Sequence, residues 1–214
     1  MMALRAGVRW AQLAATALAY GFISHGLAAS EPPTGGRSFE TRHLSARDRA
    51  EGGAEVQEPE GFWTGPTNSP VPRTLHGGTV IHAQQLAALL RRLHPVVVDV
   101  SNAPRRPDNL PASSTWLPVP HQAVPGAVWI PGAGLGDPPP AVADYYRQRL
   151  DELTSHDLSR PLVIYCHERC WLSWNGAKRA IGYGYRQVYW FADGIEGWRA
   201  AKLPTEVIEP QAVP

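Results

Sequence analysis

The two cysteines of this 214-residue chain, Cys166 and Cys170, lie in one short segment, residues 165–171, with the sequence Tyr-Cys-His-Glu-Arg-Cys-Trp. Cysteine thiolates attack sulfane sulfur and disulfides, so this pair could carry sulfur or redox chemistry. An apolar run at 161–164 precedes the segment, and a helix-like stretch at 172–180 follows it. Cys166 is therefore predicted at the carboxyl edge of a strand and under a helix amino end, where unpaired N–H groups stabilise a sulfur anion.

Cys166 is the predicted catalytic residue, and the sequence leaves two possible roles for Cys170. Cys170 is a resolving thiol that attacks a sulfur species on Cys166, or it is the disulfide partner of Cys166. A persulfide on Cys166 is the other expected state, and the amides of residues 167–171 could hold it. The structural alternative is a buried inert Cys166 and a space-filling Cys170. Their spacing alone does not establish that the sulfurs meet.

The other side chains of the predicted active loop would contact the substrate, and they are His167, Glu168, Arg169 and Trp171. His167 would tune the thiolate, or join the two cysteines in binding copper or zinc. Sulfur or redox chemistry is preferred to a metal site because a fourth ligand is not evident. Arg169 would bind an anionic substrate, with a solvated charge as the alternative. The predicted chemistry requires no resident cofactor, and the sequence identifies neither a metal nor a redox cofactor.

Two further arginines, Arg105 and Arg106, are candidate anion contacts because they lie in a proline-rich loop, 101–125, that could reach the cysteines. A surface pair without a binding role is the alternative. Asp99 precedes this loop and His121 lies near its end, and both are expected to make structural hydrogen bonds.

Short apolar runs and amphipathic segments alternate along the second half of the chain. Strands are predicted at 79–81, 96–100, 127–130, 161–165 and 187–191, and helices at 84–93, 142–153, 172–182 and 195–201. Alternating strands and helices predict a parallel sheet with helices on both faces. The expected fold class is therefore α/β, a three-layer α/β/α architecture around a central, mainly parallel, five-stranded sheet.

The amino terminus has the features of a secretory signal over residues 1–30: two arginines, an apolar run at 11–23 and a small-residue end. An uncleaved anchor is the alternative. Residues 31–75 are predicted as a flexible linker and a packing arm, 76–207 as the domain, and 208–214 as a tail. The expected location is the periplasm.

The charge balance excludes two partner classes. Residues 1–30 hold two arginines and no acidic residue, so cleavage would lower Lys+Arg from 20 to 18 against 19 Asp+Glu. A chain so close to neutrality has no charge-based affinity for nucleic acid or for a membrane surface. Small sulfur-containing or thiol substrates, or partner proteins, remain as the predicted partners.

Four segments resemble, in order, the motifs of the rhodanese family: Val-Val-Val-Asp-Val at 96–100, His-Gln-Ala-Val-Pro-Gly-Ala at 121–127, Leu-Val-Ile-Tyr-Cys at 162–166 and Asp-Gly-Ile-Glu-Gly-Trp-Arg at 193–199. They look like the strand that ends in Asp-Val, the His-Ile-Pro-Gly-Ala segment with an insertion, the catalytic-cysteine strand and the Gly-Gly-x-x-x-Trp helix start. The resemblance covers roughly residues 76–207. It implies a rhodanese-like fold with a sulfurtransferase activity of the thiosulfate type, or a thiol redox role.

A narrower resemblance concerns the residues around the second cysteine. Cys-x-x-x-Cys-Trp at 166–171, followed by Ser-Trp-Asn at 173–175 and Ala-Lys-Arg at 177–179, is similar to an exported rhodanese-like family that is named for this motif. The resemblance implies a periplasmic protein that is accessory to pyrroloquinoline quinone-dependent alcohol oxidation. Its partners would then include periplasmic proteins of that pathway.

The loop also departs from ordinary sulfurtransferases. Where their loops often carry a mid-loop glycine and an arginine near the end, this chain has Arg169 and Trp171, and Ser101 stands where an arginine often follows the Asp-Val strand. Compared with a standard thiosulfate enzyme, these departures favour the alternative function, a non-catalytic module that binds a partner protein, a redox cofactor or a metal.

Overall fold

The computed structural model of the chain describes residues 56–212. The predicted signal at 1–30 and most of the predicted linker lie outside the described residues. Within residues 56–212 no helix is both long enough and apolar enough to cross a bilayer.

A five-stranded sheet forms the centre of the fold, and every neighbouring pair of strands in it is parallel. Its strands are β1 (Thr79–Ile81), β2 (Val96–Asp99), β4 (Val128–Trp129), β5 (Leu162–Tyr165) and β6 (Val188–Phe191), in the order β1-β6-β5-β2-β4. The predicted α/β class with a parallel five-stranded sheet is confirmed. Two short strands, β3 (Gln122–Ala123) and β7 (Glu206–Val207), form a separate antiparallel pair that the sequence analysis did not predict.

Helices cover both faces of this sheet. They are α1 (Ala83–Arg92), α2 (Pro140–Leu153), α3 (Trp171–Gly182) and α4 (Gly194–Ala200). Buried residues of α1 and α4 belong to one hydrophobic core, and buried residues of α2 and α3 belong to the other. The sheet therefore separates two cores, as an α/β/α architecture requires.

Strand β5 lies in the middle of the sheet, and its four residues are fully buried. Its alternate side chains enter opposite cores: Leu162 and Ile164 pack with α2 and α3, whereas Val163 and Tyr165 pack with α1 and α4. Cys166 continues this alternation and belongs to the core on the α3 side. The pleat of the central strand thus directs the first cysteine toward the helix that follows it.

Candidate functional site

A disulfide joins the two cysteines across the loop between β5 and α3, with their Cα atoms 6.3 Å apart. Cys166 directly follows β5 and has no exposed surface, and Cys170, the N-cap residue of α3, is 7% exposed. The strand-loop-helix arrangement expected around Cys166 is present. Both sulfurs are therefore held at the amino end of α3, where the helix dipole favours a thiolate.

The middle of the cysteine loop contains a strained backbone. Arg169 has a φ of 55°, in the left-handed region that side chains other than glycine and asparagine rarely adopt. This is the position where the resemblance leads one to expect a glycine. The arginine carbonyl accepts a hydrogen bond from the Ser69 amide, at 3.1 Å, so neighbouring backbone supports the turn. The loop keeps the glycine-like conformation although it lacks the glycine.

Two of the loop amides that were expected to surround a persulfide donate elsewhere. The Glu168 amide donates to the Glu196 carboxylate at 2.9 Å, and the Trp171 amide donates to the carbonyl of Thr67 at 2.9 Å. A backbone N–H that already donates to a carbonyl or a carboxylate is not available to donate to a sulfur anion. The loop is therefore less suited to holding a persulfide than its position predicts.

The Glu196 side chain, which the sequence analysis did not select, clamps the cysteine loop from α4. One carboxylate oxygen lies 2.8 Å from His167 Nδ1, and the other accepts the Glu168 amide. Burial acts to raise the pKa of Glu196, but these hydrogen bonds outweigh it and lower the pKa. The charged clamp therefore stabilises the loop at neutral pH, and this contribution is lost only as the pH falls below the usual carboxyl range.

A cavity of about 380 Å³ opens beside the disulfide. Its walls are formed by Cys166, Cys170, His167, Glu168 and Glu196, with Leu172, Asn102 and two arm residues, Thr67 and Asn68. A second cavity of about 290 Å³ shares His167 and Asn102 with the first and contains Arg199 and His121. The structure thus brings four of the predicted site residues together in one cavity: both cysteines, His167 and Glu168.

The segment before the domain contributes directly to this site. Thr67 and Asn68 line the cavity, and Asn68 forms an isolated antiparallel bridge with Cys170. The composition of this segment predicted an arm that packs on the domain, but no site residue was predicted there. Only the proline- and aromatic-rich composition of residues 61–72 distinguishes this segment in the sequence.

The motif residues that follow Cys170 hold this arm on α3 rather than facing the cavity. Trp171 is 1% exposed, and its ring stacks on Trp63 with centroids 4.5 Å apart. Its indole N–H donates to Ser69 Oγ at 2.9 Å. Trp171, which was predicted to contact the substrate, is therefore placed in the contact between the arm and α3.

Asn175 and Arg179 complete this contact one and two turns further along α3. The buried Asn175 amide accepts the Trp63 backbone N–H and donates to the Trp63 carbonyl, both at 2.9 Å. The Arg179 guanidinium lies 4.2 Å from the Phe62 ring centroid and donates to the carbonyls of Ala133, Leu135 and Gly136. Side chains spaced three or four residues apart share one helix face, which explains why these motif residues act together.

Replacing Lys178 by methionine should loosen the arm without disturbing the core. The lysine Nζ donates to the carbonyls of Pro59 and Glu60, each at 2.7 Å, and lies 4.8 Å from the Trp174 ring centroid. Methionine keeps the aliphatic stem but loses both charge-assisted bonds, so we expect a loss of roughly 1–2 kcal/mol in urea unfolding. Limited proteolysis should cut the arm faster.

The matched control is Lys202→Met, at the only other lysine of the chain, whose side chain is exposed. A surface substitution of this kind changes stability by less than about 0.5 kcal/mol. Equal unfolding midpoints for the two variants would show that Lys178 does not anchor the arm.

The three candidate anion-binding arginines do not line the cysteine cavity. The Arg106 guanidinium donates to the carbonyls of Ser114, Leu110 and Pro111, so it holds its own loop together. The Arg105 and Arg169 side chains are exposed. The structure therefore places none of these three side chains in the wall of the cysteine cavity.

The two residues expected to have structural roles form a hydrogen-bonded pair at the end of β2. The buried Asp99 carboxylate accepts the Ser101 amide at 2.8 Å and lies 2.8 Å from His121 Nε2. The His121 ring stacks on Trp129. Among residues 56–212 no three His, Cys, Asp or Glu side chains are grouped so that they could hold a metal ion.

Comparisons with known proteins concern the domain that carries this site. A family model for the rhodanese-like domain matches residues 82–201. Among solved structures, thiosulfate sulfurtransferase from Pseudomonas aeruginosa aligns at 21% identity and a TM-score of 0.44, over 64% of this chain and 21% of that one. This chain therefore covers about a fifth of that protein.

Two other solved structures show similar levels of likeness. A 3-mercaptopyruvate sulfotransferase from Escherichia coli aligns at 17% identity and a TM-score of 0.42, over 63% of this chain and 54% of that one. A polysulfide-sulfur transferase homodimer from Wolinella succinogenes aligns at 16% identity and a TM-score of 0.39, over 61% and 80%. No curated protein matches the sequence significantly.

Proposed function

Since this chain belongs to the rhodanese-like domain family, we propose that it carries out thiol–disulfide redox chemistry on a small thiol substrate at Cys166 and Cys170. The proposal rests on one observation: the two cysteines are bonded to each other in the wall of an open cavity. Two substrate thiols would reduce this disulfide, yielding a substrate disulfide and two protein thiols. The reverse reaction would oxidise the protein.

The surroundings of the sulfurs support redox exchange over a stored persulfide. Cys170 lies beside Cys166 and is the N-cap residue of α3, so either thiolate is stabilised by the helix dipole when the bond opens. The amides of Glu168 and Trp171 are bonded to Glu196 and Thr67 and are not available to a persulfide. A resolving thiol four residues away would also displace sulfur from a Cys166 persulfide.

Sulfur transfer is the second candidate, and the family membership favours it. In this version the reduced Cys166 thiolate takes a sulfur atom from a donor such as thiosulfate and passes the sulfur atom to an acceptor. Cys166 has the required place, directly after the central strand and before the amino end of α3. Thiocyanate formation from thiosulfate and cyanide measures this activity.

We also propose the cellular setting that the amino-terminal residues and the Cys-x-x-x-Cys-Trp motif imply. The protein would be exported to the periplasm and would assist pyrroloquinoline quinone-dependent alcohol oxidation. Amino-terminal sequencing of protein from its native host tests export, with a new terminus near residue 30 as the expected result. A soluble protein that retains Met1 in the cytosol would contradict it.

A redox titration of the full-length protein tests the leading proposal. The protein is equilibrated in glutathione buffers of stepped potential, and its thiols are trapped by alkylation and counted by intact mass. We expect both thiols to appear together in a single two-electron transition. A thiol count that stays constant across the whole range would refute redox exchange and leave sulfur transfer and a binding module as the remaining functions.

A further inference from the structure

A second pair of side chains accompanies the disulfide in the cavity wall. His167 and Glu196 both line the cavity, with 2.8 Å between imidazole Nδ1 and the carboxylate. Their side chains are 53% and 39% exposed, so water and small solutes reach them. Because Nδ1 is bonded to the carboxylate, the tautomer with hydrogen on Nδ1 leaves Nε2 as the ring nitrogen able to take a proton.

The same helix turn contains a near-copy of this pair away from the cavity. The Asp193 carboxylate lies 2.7 Å from His82 Nδ1 and accepts the Ala83 amide at 3.1 Å. Each carboxylate thus binds one histidine and one backbone N–H of another segment. Only the Glu196 pair also lines a cavity with two cysteines, whereas neither Asp193 nor His82 lines either cavity described above.

From this placement we infer that His167 and Glu196 form a proton-transfer pair for the sulfur exchange at the Cys166–Cys170 disulfide. The inference rests on the proposed redox function and adds to it a base and a residue that positions the base. His167 is the group that exchanges the proton, and Glu196 acts through it by fixing the ring orientation and stabilising the imidazolium.

The proton balance of one exchange step is complete with these groups. His167 Nε2 takes the proton from the incoming substrate thiol, and the thiolate attacks the sulfur of Cys170, the cysteine that retains some exposed surface. A mixed disulfide forms, the Cys166–Cys170 bond breaks, and the departing cysteine leaves as a thiolate. The imidazolium returns the proton to that thiolate, so the pair ends the step as it began. The second substrate thiol repeats the sequence and releases the substrate disulfide.

Several charged or titratable groups lie on the elements around the imidazole and bear on its pH profile. They are Glu168 and Arg169 on the same loop, Glu196 and Arg199 on α4, and His121 across the second cavity. Glu196 is the one with an ion-pair distance to His167 among the described residues. Its neutralisation is therefore the change that should most affect proton transfer at the ring.

The test measures disulfide exchange in the oxidised, full-length protein. The probe is 2-mercaptoethanol, an uncharged thiol whose approach does not depend on the charge of the cavity. Rates are followed from pH 5 to 9 by quenching and intact mass, for the natural protein and for Glu196→Gln, His167→Gln and Asp193→Asn. Glutamine keeps the shape of glutamate and can still accept the Glu168 amide, which protects the loop.

We expect Glu196→Gln and His167→Gln to slow exchange at pH 7.5 by at least about tenfold. General acid–base groups contribute ~100- to 10,000-fold to a rate, but the loss should be smaller here because hydroxide still ionises some of the substrate thiol. The pH–rate profile of Glu196→Gln should also change shape, because an uncharged amide replaces the carboxylate that holds the ring at Nδ1. Asp193→Asn should retain the natural rate within about twofold, because its pair lies outside the cavity.

Three results would overturn the inference. The first is a Glu196→Gln rate and profile equal to those of Asp193→Asn. The second is an exchange rate of His167→Gln equal to that of the natural protein. This substitution leaves the hydrogen bond from the Glu168 amide to Glu196 in place. The third is an inert disulfide in the natural protein, which would refute the proposed redox function itself. Exchange in the natural protein with no effect of either substitution would refute the proton-transfer pair alone.

Discussion

The variant Cys170→Ser is expected to lose the two-electron redox transition completely while it keeps the fold. Cys166 is then without an internal partner among the described residues, because the chain has only two cysteines. Serine is among the best N-cap residues, so α3 should still begin at Trp171. Loss of the bond should cost at most about 2 kcal/mol in the chain-entropy estimate for so short a loop.

The same variant separates the two candidate functions. If Cys166 transfers sulfur, Cys170→Ser should retain or increase thiocyanate formation from thiosulfate and cyanide, because no neighbouring thiol removes the persulfide. Cys166→Ser should abolish that activity. If the function is redox exchange, both variants lose it and neither forms thiocyanate at a significant rate.

Intact mass under non-reducing conditions supplies the direct measurement for both variants. The natural protein should gain two hydrogens on reduction, whereas each serine variant should show one free thiol or one reducible adduct. A reversible loss of two hydrogens without any adduct that persists in Cys170→Ser would contradict the assignment of the redox pair.

Replacing Gly194 by alanine should displace the cysteine loop and destabilise the protein by about 2 kcal/mol or more. Gly194 has a φ of 62°, and a Cβ on it would lie 2.3 Å from the carbonyl carbon of His167 and 2.4 Å from the Glu168 nitrogen. These are backbone atoms of the loop, so no side-chain rotation relieves the clash. The adjacent Ile195 amide, which donates to the Cys166 carbonyl at 3.0 Å, would move as well.

The matched control is Gly182→Ala, the last residue of α3. A Cβ there would meet nothing within 4 Å, and its φ lies outside the left-handed region. Alanine is the better helix former by up to about 1 kcal/mol, so this variant should be as stable as the natural protein or slightly more stable. Urea unfolding and the exchange rate with 2-mercaptoethanol should both separate the two variants. Equal stability would show that the loop does not depend on the close approach of Gly194.

Much of the architecture could be predicted because it depends on local patterns. The β-branched run at 96–100 and the apolar run at 161–165 mark buried central strands, whose residues face a core on both sides. The helix spacing in 84–93 places its leucines on one face. Strands β3 and β7 were missed because two-residue strands, here separated by more than eighty positions, have no period to detect.

The cysteine pair was recognisable because its chemistry lies in adjacent residues. Cys166, His167, Glu168 and Cys170 lie in one loop, so any fold that forms the strand and helix brings them near one another. The surroundings of Arg105 and Arg106 could not be predicted in the same way. A long loop without period leaves the direction of its side chains open, and Arg106 binds carbonyls of its own loop instead.

The sequence by itself determined the alternating α/β architecture and the position of the cysteines after a central strand, because both follow from spacing along the chain. Tertiary structure decided the partners of the cysteine loop. Glu196 reaches it from a helix twenty-eight residues after Glu168, and Thr67 reaches it from an arm more than a hundred residues before Trp171. Such contacts depend on how the sheet edge, the helix and the arm pack against one another. The local periodicity of the sequence contains no information about that packing.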